Sequence, residues 1–209
     1  MSVTINIRTN FPDVAAQLKT LQKDIGDKAM VRALNATIVQ GKSEMARTIS
    51  KEYRINVRDA RDRLGIERAR KKGAIKLEAI LHATRRWRAR GMNLIHFVMG
   101  ARARAKQLQF QIKRSGGRKS IPGAFVATNR KTGGRAVFIR EDDGKYITGR
   151  KNIKGDSKHA QAIAPLTTID VPRMFNSRRV NDVVRKVMLE RFGKNFNREL
   201  RAVLRGFAK

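Results

Sequence analysis

The sequence predicts an α+β protein, with N-terminal helices and a long C-terminal helix packed on a small antiparallel β-sheet and with extended basic loops. Three observations carry this expectation. Apolar residues recur at spacings of three and four in the first quarter of the chain and again near its end. Between those regions the pattern shifts to alternation, with turn residues separating short runs. Helices, then strands, then a helix is the order of an α+β protein, not of an alternating α/β one.

Residues 12–53 read as helix. Val14, Leu18, Leu21 and Ile25 form the first apolar stripe, and Pro12 sits in the first turn, where its missing N–H costs nothing. Gly26 is expected to break this helix, and Asp27 to begin a second one. Met30, Val31, Leu34, Ile38, Met45 and Ile49 give that second helix one apolar face. Gly41 within it weakens the helix by about 1 kcal/mol relative to Ala. Asn56 then caps a short basic helix, Val57–Leu64, closed at Gly65.

Lys76–Thr84 alternates, with Leu77, Ala79, Leu81 and Ala83 on one face, and predicts a strand. Leu94–Met99 is apolar and fits neither period. Gln107–Lys113 carries the cleanest strand pattern, with Leu108, Phe110 and Ile112 on one side. Phe125–Thr128 and Ala136–Arg140 predict strands joined through Gly133-Gly134. Asp143-Gly144 is hairpin chemistry between Val137–Ile139 and Tyr146–Ile147. Residues 148–163 are polar and turn-rich and read as an exposed loop, and Val171–Phe175 as a turn or 3₁₀ segment. A helix beginning at or near Asn181 aligns Val184, Val187, Met188, Phe192, Phe196, Leu200, Val203, Leu204 and Phe207, with a bend expected at Gly193. No repeat and no strong boundary divides the chain. It is read as one domain of residues 1–209: a helical part (1–72), a sheet with basic loops (73–147), a loop (148–170) and the C-terminal helix (171–209).

Charge narrows the function. Lys and Arg total 48 against 17 Asp and Glu, a formal net charge of +31 on 209 residues. Such a surplus repels itself and calls for a polyanion, which for most proteins means nucleic acid. Its distribution is uneven. Between Glu78 and Glu141 lie 62 residues with 15 Lys and Arg and no acid. A second run, Arg47 to Lys72, holds ten bases against Glu52, Asp59, Asp62 and Glu67. The candidate contacts to DNA or an acidic partner are Arg85, Arg86, Arg88, Arg90, Arg102, Arg104, Lys106, Lys113, Arg114, Arg118 and Lys119. Arg, which dominates them, grips phosphate through its planar fork. Gly116-Gly117 is expected to leave the last group mobile. Trp87, set among arginines, could stack on a base, although a packing role is the commoner one. Few aromatics accompany the bases, so the pattern favours the phosphate backbone over base reading.

Catalytic chemistry is hard to find. The chain has no Cys, which excludes disulfides, thiol nucleophiles and cysteine-held metals. His82, His96 and His159 stand in no metal-ligand spacing. Gly116-Gly117-Arg118-Lys119-Ser120 lacks both the upstream Gly and the Gly before Lys that a phosphate-binding loop requires. Glu141-Asp142-Asp143 could suggest a nuclease metal site, but a hairpin turn explains it more simply. No catalytic residue, metal or cofactor is therefore expected. No apolar run approaches a membrane span and no signal peptide is read at the start, so the expectation is a protein made in a cytoplasm and away from membranes.

Ile121-Pro122-Gly123-Ala124-Phe125 is the most specific local string. With Ala164-Pro165-Leu166-Thr167-Thr168, Val171-Pro172 and the amphipathic helix that follows, it resembles the minor tail protein Z family of long-tailed phages. Ala29-Met30-Val31-Arg32-Ala33-Leu34-Asn35, opening a helix that leads into the basic segment Arg58–Lys72, resembles that family as well. The resemblance implies a virion protein that completes the head-proximal end of the tail. It implies a role in head–tail joining and in placing the genome end. The implied partners are the tail terminator and tail tube proteins, the head–tail connector, phage double-stranded DNA in the lumen, and other copies in a ring, as a hexamer. Assembly would take place in the host cytoplasm. A ring of such cationic subunits would need DNA or acidic neighbours to relieve its repulsion. The alternative reading is a free nucleic-acid-binding protein without sequence preference, which charge alone would also satisfy.

Overall fold

The structure is a computed structural model that describes residues 3–6, 23–70, 78–83, 91–100, 107–128, 133–142, 145–147 and 162–207. Its contacts divide the chain into two compact units: Met1–Ser50, Val57–Arg86 and Val171–Lys209 in one, Lys51–Asn56 and Trp87–Asp170 in the other. The architecture is α+β, and the strand pairings among the described residues are antiparallel.

In the first unit lie β1 (Val3–Asn6), most of α1 (Lys23–Glu52), α2 (Val57–Arg61), β2 (Leu64–Glu67), β3 (Ile80–Ala83), α3 (Val171–Phe175) and α4 (Arg178–Phe207). α1 runs straight through Gly26, where a break was predicted. A lone glycine costs about 1 kcal/mol against Ala. Burying Met30, Leu34 and Ile38 outweighs that at roughly 1.5–3 kcal/mol each. Met45 and Ile49 continue the predicted face, while Val31 is only half-buried. The first predicted stripe, Val14 to Leu21, lies outside the described residues.

Gly41 lies at the α1–α4 contact. A Cβ built there would lie 2.7 Å from the Sδ of Met188, so any side chain at this position must displace the end of that methionine. Along the same contact Asn195, 5% exposed, donates from Nδ2 to Thr37 Oγ1 (3.0 Å) and Gln40 Oε1 (3.2 Å). The Phe192 and Phe196 rings, both fully buried, are 6.2 Å apart.

The predicted Val57–Leu64 helix ends early, at Arg61. Its last turn closes through Asp62 N–H to Arg58 O, and Leu64 then enters β2, where it is buried opposite Ala83. The strand order is β1-β3-β2, and Ala79, Leu81 and Ala83 are buried as the alternation predicted. Leu77 lies outside the described residues. After β2 the chain is tied to α1 by Asn35, which accepts from Ala69 N–H (2.8 Å) and donates to Ala69 O (3.1 Å).

Val171–Phe175 is an α-helical turn with four buried side chains, not a 3₁₀ segment. α4 starts at Arg178, earlier than predicted, because Asn181 serves α3 instead: its Nδ2 donates to Phe175 O at 2.8 Å. α4 continues without interruption through Gly193. Val184, Met188, Phe192, Phe196 and Val203 are buried, but Leu204 faces solvent, 41% exposed.

Among its described residues the second unit holds the strands β4 (Met92–Asn93), β5 (Val98–Met99), β6 (Gln109–Phe110), β7 (Lys119–Ser120), β8 (Phe125–Thr128), β9 (Arg135–Asp142), β10 (Lys145–Ile147), β11 (Ala162–Pro165) and β12 (Thr167–Thr168). A 3₁₀ turn, Leu94–Phe97, separates β4 from β5 and explains why that stretch fits neither period. β9 is the spine. β8 and β11 both pair with Phe138, and β10 and β11 both pair with Glu141, so β11 holds one edge and β8 and β10 share the other. Ile163, placed in a loop from sequence, belongs to β11. At Leu166 the chain passes from β9 to β4: its N–H donates to Val137 O and its carbonyl accepts from Leu94 N–H, both at 3.0 Å.

The Pro122-Gly123 turn fits its sequence. Gly123 has φ +76°, which L side chains avoid, and Ala124 N–H closes the turn on Ile121 O. β8 then pairs with β9 so that Phe125 faces Phe138. Arg140 lies with its guanidinium 4.4 Å from the Phe125 ring centroid, so this base of the acid-free stretch stacks on an aromatic ring of the sheet.

Candidate nucleic-acid interface

Four of the eleven candidate bases, Lys113, Arg114, Arg118 and Lys119, fall on one connection between β6 and β7, and all four are exposed. The strand predicted over Gln107–Lys113 is confined to Gln109–Phe110. Leu108 and Phe110 are buried as the alternation required, the pairing with the β5 side runs one rung further to Gln111, and beyond it the backbone turns to residues 52–54. Gln111 N–H donates to Phe97 O at 3.0 Å. Lys113 bridges Tyr53, flanked by Arg54 N–H to Ile112 O (2.8 Å) and Arg114 N–H to Glu52 O (3.0 Å). The backbone beneath Lys113 and Arg114 is thus zipped to residues 52–54.

The turn itself is stapled. Gln111 Nε2 donates to Arg114 O (3.1 Å) and Gly116 O (3.0 Å), and Gly116 N–H donates to Lys113 O (3.0 Å). The segment expected to be a loop is thus a hydrogen-bonded turn. Phe110 pairs with Lys119 and Gln109 with Ser120 on the return strand. A cationic group on a fixed backbone loses less freedom when it meets a phosphate than one on a free loop.

Arg85, Arg86, Arg88, Arg90, Arg102, Arg104 and Lys106 lie outside the described residues, as do Trp87, Asp143 and His159. Glu141 is a β9 residue. His82 is half-buried on β3, with Nδ1 3.9 Å from Glu67 Oε1. Among the described residues no group of three His, Cys, Asp or Glu is placed to hold a metal ion. Among the same residues no helix is long and apolar enough to cross a membrane.

Sequence reading followed the apolar positions of α4 and left its outer side unread. Arg191, Lys194, Arg198, Arg201 and Arg205 follow one another at intervals of three, four, three and four. That spacing aligns them along one side of the helix. It was legible in the sequence, but only by applying to cations the periodicity test that was applied to apolar residues.

The fold defines an α+β protein whose described basic groups stand on ordered backbone. The chain belongs to the family described as prophage minor tail protein Z, which matches residues 13–209. It is thus a phage tail protein by family, as the IPGAF and APLTT strings suggested. Neither the curated proteins nor the solved structures include a significant match.

Proposed function

We propose that this protein is a non-catalytic virion component that completes the head-proximal end of the tail, takes part in head–tail joining and positions the end of the genome. Its partners in this reading are the terminator, the tube, the head–tail connector and double-stranded DNA, within a ring of like subunits, six in number. The observation that carries it is the acid-free stretch of 62 residues, with Lys113, Arg114, Arg118 and Lys119 exposed on the stapled turn. Membership of a tail-protein family supports the setting. In that setting the candidate bases from Arg85 to Lys119 meet DNA phosphates or acidic walls of the particle.

The test is charge reversal of Lys113, Arg114, Arg118 and Lys119 to Glu in the phage genome. Tails should form with a sharp loss of joined, infectious particles. Normal yield would defeat the assignment. The free nucleic-acid-binding alternative draws on net charge alone, and it predicts a protein missing from purified virions.

A further inference from the structure

We infer that the outer side of α4 is a second surface for double-stranded DNA, in which Arg191, Lys194, Arg198, Arg201 and Arg205 follow a phosphate backbone. The 3-4-3-4 spacing keeps the five Cα positions within about 80° around the helix and spreads them over about 21 Å of its axis. All five are solvent-accessible: Arg191, Lys194 and Arg198 side chains are 41%, 75% and 61% exposed, and Arg201 and Arg205 are exposed as well.

Three carboxylates touch this row. Glu44 is 3.8 Å from Arg191, Glu190 is 3.1 Å from Lys194, and Glu199 is 2.8 Å from Arg198. The Lys194–Glu190 pair is exposed on both sides, and such pairs are weak and exchange readily for a stronger anion. Glu44 and Glu199 are largely buried and hold Arg191 and Arg198 more firmly. Arg201 and Arg205 meet no acid among the described residues. Leu204 is the one exposed large apolar side chain beside Arg201 and Arg205, and no aromatic residue stands between Arg198 and Arg205, whereas the centre of a protein–protein interface is depleted of charge and enriched in aromatics. Regular cations without stacking groups complement a regular polyanion, and double-stranded DNA presents its charges at short, even intervals.

This inference rests on the DNA-binding part of the reading above, and the experiment separates the two. Full-length protein is titrated with a short duplex of random sequence across a range of salt. The wild type is compared with Arg198→Gln/Arg201→Gln/Arg205→Gln and with a Gln variant of Lys113, Arg114, Arg118 and Lys119. The helix variant should show a plot of log affinity against log salt that is shallower by about 2–3 units, and binding weaker on the order of 100-fold at physiological salt. Replacing the three by Lys should keep the slope. The double variant Arg201→Gln/Arg205→Gln disturbs no ion pair with a described acid, and should flatten the slope by about 1.8 units.

An unchanged slope in a helix variant that melts like wild type would overturn the inference alone. Wild-type protein that ignores the duplex even at low salt would overturn the DNA reading as well. Unaltered duplex affinity with lost binding to polyglutamate would assign the row to an acidic protein surface, and the inference would fail.

Discussion

Asn93 and Val137 join two sheets through one side chain. Asn93 Oδ1 accepts from Val137 N–H at 2.8 Å, and Nδ2 donates to Val137 O at 3.1 Å. The amide group thus copies a strand residue where the β11 ladder stops at Pro165, which has no N–H to give. The same Oδ1 accepts from Ile95 N–H at 3.0 Å and starts the 3₁₀ turn.

Asn93→Ala should therefore destabilise the second unit by about 1–3 kcal/mol, since it leaves the buried Val137 N–H without this acceptor, while Val137 O keeps the Leu166 N–H. Asn93→Asp keeps the acceptor but sets a carboxylate oxygen against Val137 O, and should recover only part of the loss. Urea unfolding gives the free energies. Faster exchange of the Val137 amide would locate the damage.

Gly41→Leu should cost about 1–3 kcal/mol, because the new side chain must enter space held by Met188. Gly41→Ala should cost far less. The atoms it meets are the flexible end of a methionine, and the gain in helix propensity offsets their displacement. Pairing Gly41→Leu with Met188→Ala should recover stability relative to Gly41→Leu alone. Thermal melting of the wild type, Gly41→Leu, Met188→Ala and the pair closes the cycle.

Asn195 links Thr37 and Gln40 inside the α1–α4 contact. Asn195→Ala should cost about 1–3 kcal/mol, as it leaves the buried Thr37 hydroxyl without that donor. In a cycle with Thr37→Val the losses should be non-additive by about 1 kcal/mol. Strict additivity would mean that the bond between them contributes nothing.

Gln111→Ala should loosen the basic turn without unfolding the protein. Losing two partly exposed bonds, at about 0.5–1.5 kcal/mol each, should favour local opening by roughly 5–150-fold. Tryptic cleavage after Lys113 and Arg114 reads this directly. An unchanged cleavage rate would show that the zip to residues 52–54 alone holds the turn.

Gly123→Ala should cost about 1–2 kcal/mol by placing a Cβ at φ +76°, and Gly123→Asn should cost less, because Asn tolerates this region. The melting temperature should rank Gly above Asn above Ala.

Much of this fold was legible because helical burial is periodic. Met30, Leu34, Ile38, Met45 and Ile49 announced α1, and Ala79, Leu81 and Ala83 announced the β3 face. What failed was local inference where long-range partners decide. Gly26 carried a break signal that packing overrode. Leu64 left its helix for a partner in β3, and the Gln107–Lys113 strand is cut short where its partner enters the 3₁₀ turn at Phe97 and Lys113 pairs with Tyr53 instead. The site was half-visible for the same reason. Composition located the exposed bases of the turn, but the staple that orders them is a side-chain bond from Gln111 to Arg114 O and Gly116 O. The α4 cations were overlooked since the helix had already been accounted for by its apolar positions.

β9 is read from both edges at once, with Phe138, Arg140 and Glu141 each paired to two neighbours. A one-residue insertion or deletion inside it would put the end that pairs β8 out of in–out phase with the end that pairs β10, and β11, which spans Phe138 to Glu141, could not follow both. Relatives of this chain should therefore vary in length in the connections and keep the spacing from Arg135 to Asp142 fixed. That ruler-like segment is the place from which to align the family.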